Sequence, residues 1–184
     1  VAVIILNWNG RKLMEKFLPS VLKYTPSETA EIIVADNCST DGSVAMLQER
    51  FPSVRVIVLD RNYGFAEGYN RAIEQVDSDY TVLLNSDVEV TPHWLDAPLD
   101  AMERDARIAG VQPKILSERH RSSFEYAGAA GGWIDRYGYP FCRGRVLSVV
   151  EEDNGQYDTA TDVFWASGAC LFIHTDVYRK KDRL

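Results

Sequence analysis

The chain opens on an unbroken apolar run, Val1 to Leu6, and turns polar at Asn7. Three similar runs follow: Glu31 to Ala35, Val54 to Leu59 and Tyr80 to Leu84. Continuous rather than alternating apolar character predicts strands covered on both faces. The segments between them have helical spacing. In RKLMEKFLPSVLKY, Leu13, Phe17, Val21 and Leu22 recur near a helical period, and Pro19 is expected to weaken or kink the helix. STDGSVAMLQERF predicts a second helix, capped by Asp41 or Ser43 and closed by Pro52. Phe65 to Val76 predicts a third, with Ala66, Tyr69, Ile73 and Val76 on one side. Strands alternating with helices at this spacing predict βαβ units, a parallel sheet and right-handed crossovers.

Beyond Asp87 the pattern loosens. TPHWLDAPLDAMERD suits a helix opened by Thr91-Pro92, and Ile108 to Val111 suits another strand. From Ser117 to Asp158 glycines, aromatics and arginines dominate, as in EYAGAAGGWIDRYGYPFCRGR. That texture predicts loops or irregular β structure on one side of the core. Thr161 to Ala166 and Ala169 to Ile173 read as two short strands around Ser167-Gly168, and Thr175 as the cap of a final helix.

Composition narrows the function. At 184 residues and 46% hydrophobic, the chain can build one domain with a sizeable core. A net charge of −7 argues against nucleic acid as the partner, because phosphate neutralisation needs Lys and Arg. Cys38, Cys142 and Cys170 form no CxxC pair, which points to reduced thiols rather than zinc or redox motifs. The apolar N-terminal run is too short, and lacks the basic flank, for a signal peptide. No stretch approaches the roughly 20 apolar residues of a membrane span.

The candidate chemistry lies where the strands end. In an open α/β sheet, ligands bind outside the carboxyl ends of the strands. The four ends read Asn7-Trp8-Asn9-Gly10, Asp36-Asn37-Cys38-Ser39, Asp60-Arg61-Asn62-Tyr63-Gly64 and Asn85-Ser86-Asp87. Neither a GxGxxG fingerprint nor a P-loop is present. Asp87 is a good hard-cation ligand at the end of a rigid strand, where a metal could bridge it to two phosphates. Glu89 is a second candidate. Trp8 can stack on a base, Asp36 can accept hydrogen bonds from a base or ribose, and Asn62 and Asn70 can fix phosphates or bases. Each also has a structural reading: core packing for Trp8, an Asx turn with Ser39 for Asp36, turns or caps for the amides, and a solvated charge for Glu89.

VAVIILNWNG, EIIVADNCSTDGS, NYGFAEGYNRAI, VLLNSDVEV and WASGACLFIHTDVY stand in the order and spacing of family-2 glycosyltransferases of the GT-A type. The chain most resembles the bacterial, rhamnosyltransferase-like subgroup, with the weakest match between residues 117 and 158. The resemblance implies an α/β, Rossmann-like and mostly parallel sheet with helices on both faces. It implies transfer of a sugar, with inversion, from a UDP-, dTDP- or GDP-sugar to a hydroxyl of a glycan or lipid-linked acceptor. The expected setting is bacterial cell-surface polysaccharide or glycoconjugate synthesis, in the cytoplasm or at the inner face of the membrane. Peripheral membrane association would come through segments outside the chain.

By position, the resemblance places Leu6, Asn7 and Trp8 along the base, Asp36 at the base or ribose, and Asn62, Gly64 and Asn70 beside the nucleotide. The family's D-x-D falls on Asn85-Ser86-Asp87. Asp87 therefore takes the Mg²⁺ or Mn²⁺ position, with Glu89 as partial compensation for Asn85. Gly168 would border the acceptor. Residues 1–116 would form the nucleotide-sugar half and 117–184 part of the acceptor side of a single domain. The general base of the family lies in an acidic motif that RKKDRL stops short of, so it is expected beyond the chain. Two other functions fit the sequence less well: a sugar-1-phosphate nucleotidyltransferase, for which NWNGRK is a poor loop, and a nucleotide-sugar-binding module without catalysis.

Overall fold

The computed structural model describes residues 1–180; Lys181–Leu184, where the sequence reading sees the acceptor half break off, lie outside the described residues. The elements in order are β1 (Ala2–Asn7), α1 (Arg11–Tyr24), β2 (Glu31–Asp36), α2 (Ser43–Arg50), β3 (Arg55–Val58), α3 (Gly64–Ile73), β4 (Tyr80–Asn85), α4 (Asp96–Arg104), β5 (Gly110–Val111), β6 (Gly132–Ile134), β7 (Pro140–Cys142), β8 (Arg145–Val146), β9 (Val149–Val150), β10 (Cys170–His174) and α5 (Thr175–Lys180). The main sheet runs β3-β2-β1-β4-β10-β5. Its first four strands are parallel, and β10 is antiparallel to both β4 and β5.

Burial on both faces explains the continuous apolar runs. Val3 and Ile5 of β1, Ile32 and Val34 of β2, and Val82 and Leu84 of β4 join Met14, Leu18, Val21, Met46, Leu47 and Met102 of α1, α2 and α4. Ala2, Ile4, Ile33, Ala35 and Leu83 join Tyr69, Ala72 and Ile73 of α3 on the other face. The chain winds outward from β1 through β2 to β3, then crosses back to β4 on the far side of β1. Right-handed crossovers must put helices on opposite faces when the winding reverses. The β1/β4 junction is therefore a topological switch point, where a crevice opens at the strand ends.

Several local expectations need correction. Helix α1 runs through Pro19 as one helix, and its buried stripe is Met14, Phe17, Leu18 and Val21, while Leu13 is exposed. Thr91-Pro92 does not open α4; His93 takes a left-handed turn and the helix begins at Asp96. Thr161–Ala166 is no strand, because only Trp165 makes a bridge, to Gly132, and most of the segment is exposed. Thr175 does not cap with its hydroxyl, which lies 2.9 Å from that of Thr81 inside the sheet. The segment expected to be loop or irregular β structure holds a small antiparallel sheet of four short strands, β6-β7-β8-β9, within residues 132–150. Its glycines make room for Trp165: a Cβ on Gly128 would lie 2.7 Å from the indole, and one on Gly132 would strike both the indole and the Phe141 carbonyl. All three cysteines are free thiols, and burial raises that of Cys170 to a pKa of about 12.

Candidate donor-binding site

The polar ends of β1 and β2 are stitched together. Asn7 and Asp36 are register partners and both are fully buried. Asn7 Nδ2 donates to Asp36 Oδ1 at 2.8 Å and to Ser39 Oγ at 3.2 Å. Asp36 Oδ2 accepts the Ser39 N–H at 2.8 Å, so the Asx turn forms. Asn7 Oδ1 is buried and takes no hydrogen bond among the described residues, and any Cβ on Gly10 would collide with it. Asn9 N–H donates to Ser39 Oγ, and Asn9 Oδ1 accepts the Thr40 N–H at 2.7 Å. Asn9 and Cys38 both sit at positive φ, 51° and 63°, uncommon for side-chain-bearing residues and typical of loops held by their surroundings. Trp8, projecting from this loop, is 59% exposed.

Asp41 braces the same loops from behind. Its carboxylate accepts the N–H of Arg11, the first residue of α1, at 2.9 Å, and that of Ser43, the first of α2, at 3.0 Å. One anion thus serves two positive helix ends. Burial pushes its pKa up, but the Ser43 hydroxyl and these N–H groups outweigh burial and hold the carboxyl below its ordinary range.

Asn37 links β2 to the β3–α3 loop. It is buried, donates Nδ2 to Asn62 Oδ1 and to the Gly64 carbonyl at 2.9 Å each, and accepts the Tyr63 N–H at 2.9 Å. Asn62 Oδ1 also accepts the Gly64 N–H at 2.8 Å, closing an Asx turn, and Gly64 takes a φ of 76°. Gly68 lets α3 approach: a Cβ there would lie 2.9 Å from Leu6 and 3.2 Å from the Asn37 amide.

Across the crevice, Asn85 is the register partner of Leu6. Its N–H donates to the Ala169 carbonyl at 2.9 Å, which brings Gly168 to the end of β4. Gly168 also packs against Phe65 at the start of α3, 3.3 Å from the position a Cβ would take. The Tyr69 hydroxyl donates to the Leu84 carbonyl at 3.0 Å and fixes α3 to β4; burial pushes this phenol's pKa far up. Asp87 is exposed, and among the described residues no hydrogen bond or ion pair occupies its carboxylate. Glu89 is paired with Arg121 at 2.6 Å.

The tertiary structure thus gathers Leu6, Asn7, Trp8, Asp36, Asn62, Gly64, Asn85, Ser86, Asp87 and Gly168 around one sheet edge. Asn70 stands apart: it is buried, its Oδ1 accepts the Tyr178 hydroxyl of α5 at 2.5 Å, and its Nδ2 reaches Glu67 at 3.2 Å. Asn37, Ser39, Asn9 and Asp41 are absent from the sequence-derived set. Their signal is faint, short polar residues soon after strand ends, and their distant partners lie some 25 to 32 residues away.

Among the described residues no three His, Cys, Asp or Glu side chains gather as metal ligands. The donor set still suits Mg²⁺ or Mn²⁺. Mg²⁺ is commonly held by one or two carboxylates together with substrate phosphates, and Asp87 is one free carboxylate at a rigid strand end.

The family model for glycosyl transferase family 2 matches residues 2–159. The chain belongs to glycosyltransferase family 2. It is 25% identical over 190 residues to an N-acetylglucosaminyl-diphospho-decaprenol L-rhamnosyltransferase of Mycobacterium tuberculosis, covering 96% of this chain and 62% of that protein. The family-2 chain therefore spans about three fifths of that relative's length. Its fold superposes on S. aureus TarS 1–349 in complex with UDP with a TM-score of 0.65 and 16% identity, covering 98% of this chain and 48% of that one. It also matches the mannosyltransferase PcManGT from Pyrobaculum calidifontis, solved with GDP-Man and Mn²⁺, with a TM-score of 0.55, 20% identity and coverage of 64% and 35%. These likenesses carry the GT-A fold with its mostly parallel sheet.

Proposed function

We propose that this chain carries the donor half of an inverting, divalent-metal-assisted glycosyltransferase of bacterial cell-surface glycan synthesis. The observation that carries the reading is the β1/β4 switch point. There, buried and mutually bonded Asn7 and Asp36 form one wall, and Asn85-Ser86-Asp87 forms the other, opposite Leu6. The donor is a UDP-, dTDP- or GDP-sugar, and the acceptor a hydroxyl of a glycan or a lipid-linked glycan. Relatives support this: the mycobacterial protein is named for a decaprenol-linked acceptor, and PcManGT and TarS were solved with GDP-Man and UDP.

In this reading Trp8 stacks on the base, which its exposure permits. Asp36 is fully buried with both oxygens bonded, so it serves the base or ribose by exchanging Asn7 or Ser39 for the ligand. Asn62 and Gly64 shape the nucleotide wall through Asn37. Asn70 acts through α3 rather than by contact. Asp87 holds Mg²⁺ or Mn²⁺, which when bound neutralises the charge that develops on the leaving diphosphate. Gly168 keeps the acceptor approach open beside Asn85 and Phe65. Residues 1–116 form the donor half and 117–184 part of the acceptor side.

Calorimetric titration with UDP, dTDP and GDP, each with Mn²⁺ and with chelator, tests this directly. Metal-dependent binding of one nucleotide by the chain, lost in Asp87→Ala, is the expected result. Binding that ignores both the metal and the substitution would overturn the metal assignment, and absence of binding to a folded sample would overturn the donor site.

A further inference from the structure

The small sheet carries an apolar surface that the donor site does not use. Eight of the sixteen exposed large hydrophobic side chains among the described residues fall within residues 131–150. Scattered exposed apolar residues are ordinary, but such a concentration marks an interaction surface.

Topology gathers these residues at one end. The sheet is an antiparallel meander, so the β6–β7 and β8–β9 turns share an end and the β7–β8 turn lies at the other. The β7–β8 end is anchored on the body. Gly144 is buried there, 2.9 Å from the Phe124 ring at the position a Cβ would take, and its carbonyl accepts the Glu151 N–H at 2.9 Å. The other end is free. Tyr137 and Tyr139 flank one tip, and Leu147, 84% exposed at a φ of 52°, crowns the other.

The order of chemistry along the second hairpin identifies the occupant. Leu147 stands at the turn, the Val146–Val149 pair comes next, and Arg145 pairs with Val150 behind them. Arg145 donates to the Leu147 carbonyl at 2.6 Å, and on the other hairpin the Arg136 guanidinium stacks 4.6 Å over Tyr137. Aliphatic tip, tyrosines and arginines in sequence match the acyl boundary, interface and phosphate layer of a bilayer. Charge is complementary too. Toward the tips Arg136 and Arg145 stand against Asp135, in a chain of net charge −7, while Arg143 belongs to the anchored end. Guanidinium forks suit lipid phosphates.

We propose that the tips of the β6–β7 and β8–β9 hairpins dock the protein on an anionic lipid surface. Neither nucleotide nor acceptor takes part in this contact.

Cosedimentation of the full chain with phosphatidylcholine vesicles, with and without phosphatidylglycerol, tests the proposal. Binding to the anionic vesicles is expected. Leu147→Glu combined with Val149→Glu should lower the bound fraction about tenfold. Arg136→Glu should erase the preference for phosphatidylglycerol. Val58→Glu, on the outer edge strand, should change nothing. Leu147→Gly, which keeps the left-handed turn, should also weaken binding and so separates lipid contact from folding. The proposal is overturned if the chain fails to bind, if Val58→Glu weakens binding as much as the tip variants do, or if light scattering reveals a dimer that Leu147→Glu dissolves. None of these outcomes touches the nucleotide titrations, so the two readings fail separately.

Discussion

Asn7 and Asp36 end adjacent strands with their side chains 2.8 Å apart, both fully buried and joined by one amide-to-carboxylate hydrogen bond. A buried carboxylate with its donors in place is tolerable; one that loses a donor is not. Asn7→Ala should therefore cost about 2–3 kcal/mol of stability, the worth of a hydrogen bond to a charged group plus desolvation. Urea unfolding measures it, and a change below about 0.5 kcal/mol would refute the bond's role. Asn7→Asp should be worse, because it replaces the amide donor facing Asp36 with a second carboxylate.

Asn37 makes a sharper case, since three hydrogen bonds from one buried amide hold the β3–α3 loop. Asn37→Ala should destabilise the chain by about 2–4 kcal/mol, from unsatisfied loop groups and the space left behind. Asn37→Asp keeps the shape but points a carboxylate at the Asn62 and Gly64 oxygens, and it should be at least as damaging. If Asn37→Asp unfolded at the wild-type urea concentration, the hub would be discounted.

Asp41 ties stability to acid. Its folded pKa lies below the ordinary 3.8, so the ionised carboxylate stabilises the fold above that pH. This contribution fades as pH falls from there through the folded value. Asp41→Asn should lose about 0.5–2 kcal/mol at neutral pH, the worth of a helix cap, and show a shallower acid limb. Parallel acid limbs in the two proteins, followed by far-ultraviolet circular dichroism, would exclude the linkage.

Glu89 and Asp87 should separate in metal binding. Arg121 already holds the Glu89 carboxylate, while Asp87 is free. Glu89→Gln should leave Mn²⁺-dependent nucleotide affinity within about threefold, whereas Asp87→Asn should lower it by about tenfold or more. A large effect of Glu89→Gln would mean that the nucleotide draws Glu89 away from Arg121.

The first half of the fold was legible because burial on two faces leaves unmistakable runs. A strand such as Val3-Ile4-Ile5, covered by α1 on one side and α3 on the other, admits no polar residue. The polar strand ends and the family motifs then singled out residues that the fold gathers at the carboxyl ends of β1, β2 and β4. What the sequence could not carry were relations between distant residues. Nothing local says that β10 enters the sheet beside β4, antiparallel, because that choice is made by strand pairing across more than eighty residues. Glycines at 128 and 132 read as loop, but each makes space for Trp165, more than thirty positions on. Asn62 and Asn70 look alike as amides, yet one faces Asn37 at the strand ends and the other Tyr178 on α5. Hydrophobic period sets elements one by one. Which side chains meet, and which apolar tips stay exposed, is decided only when the elements pack.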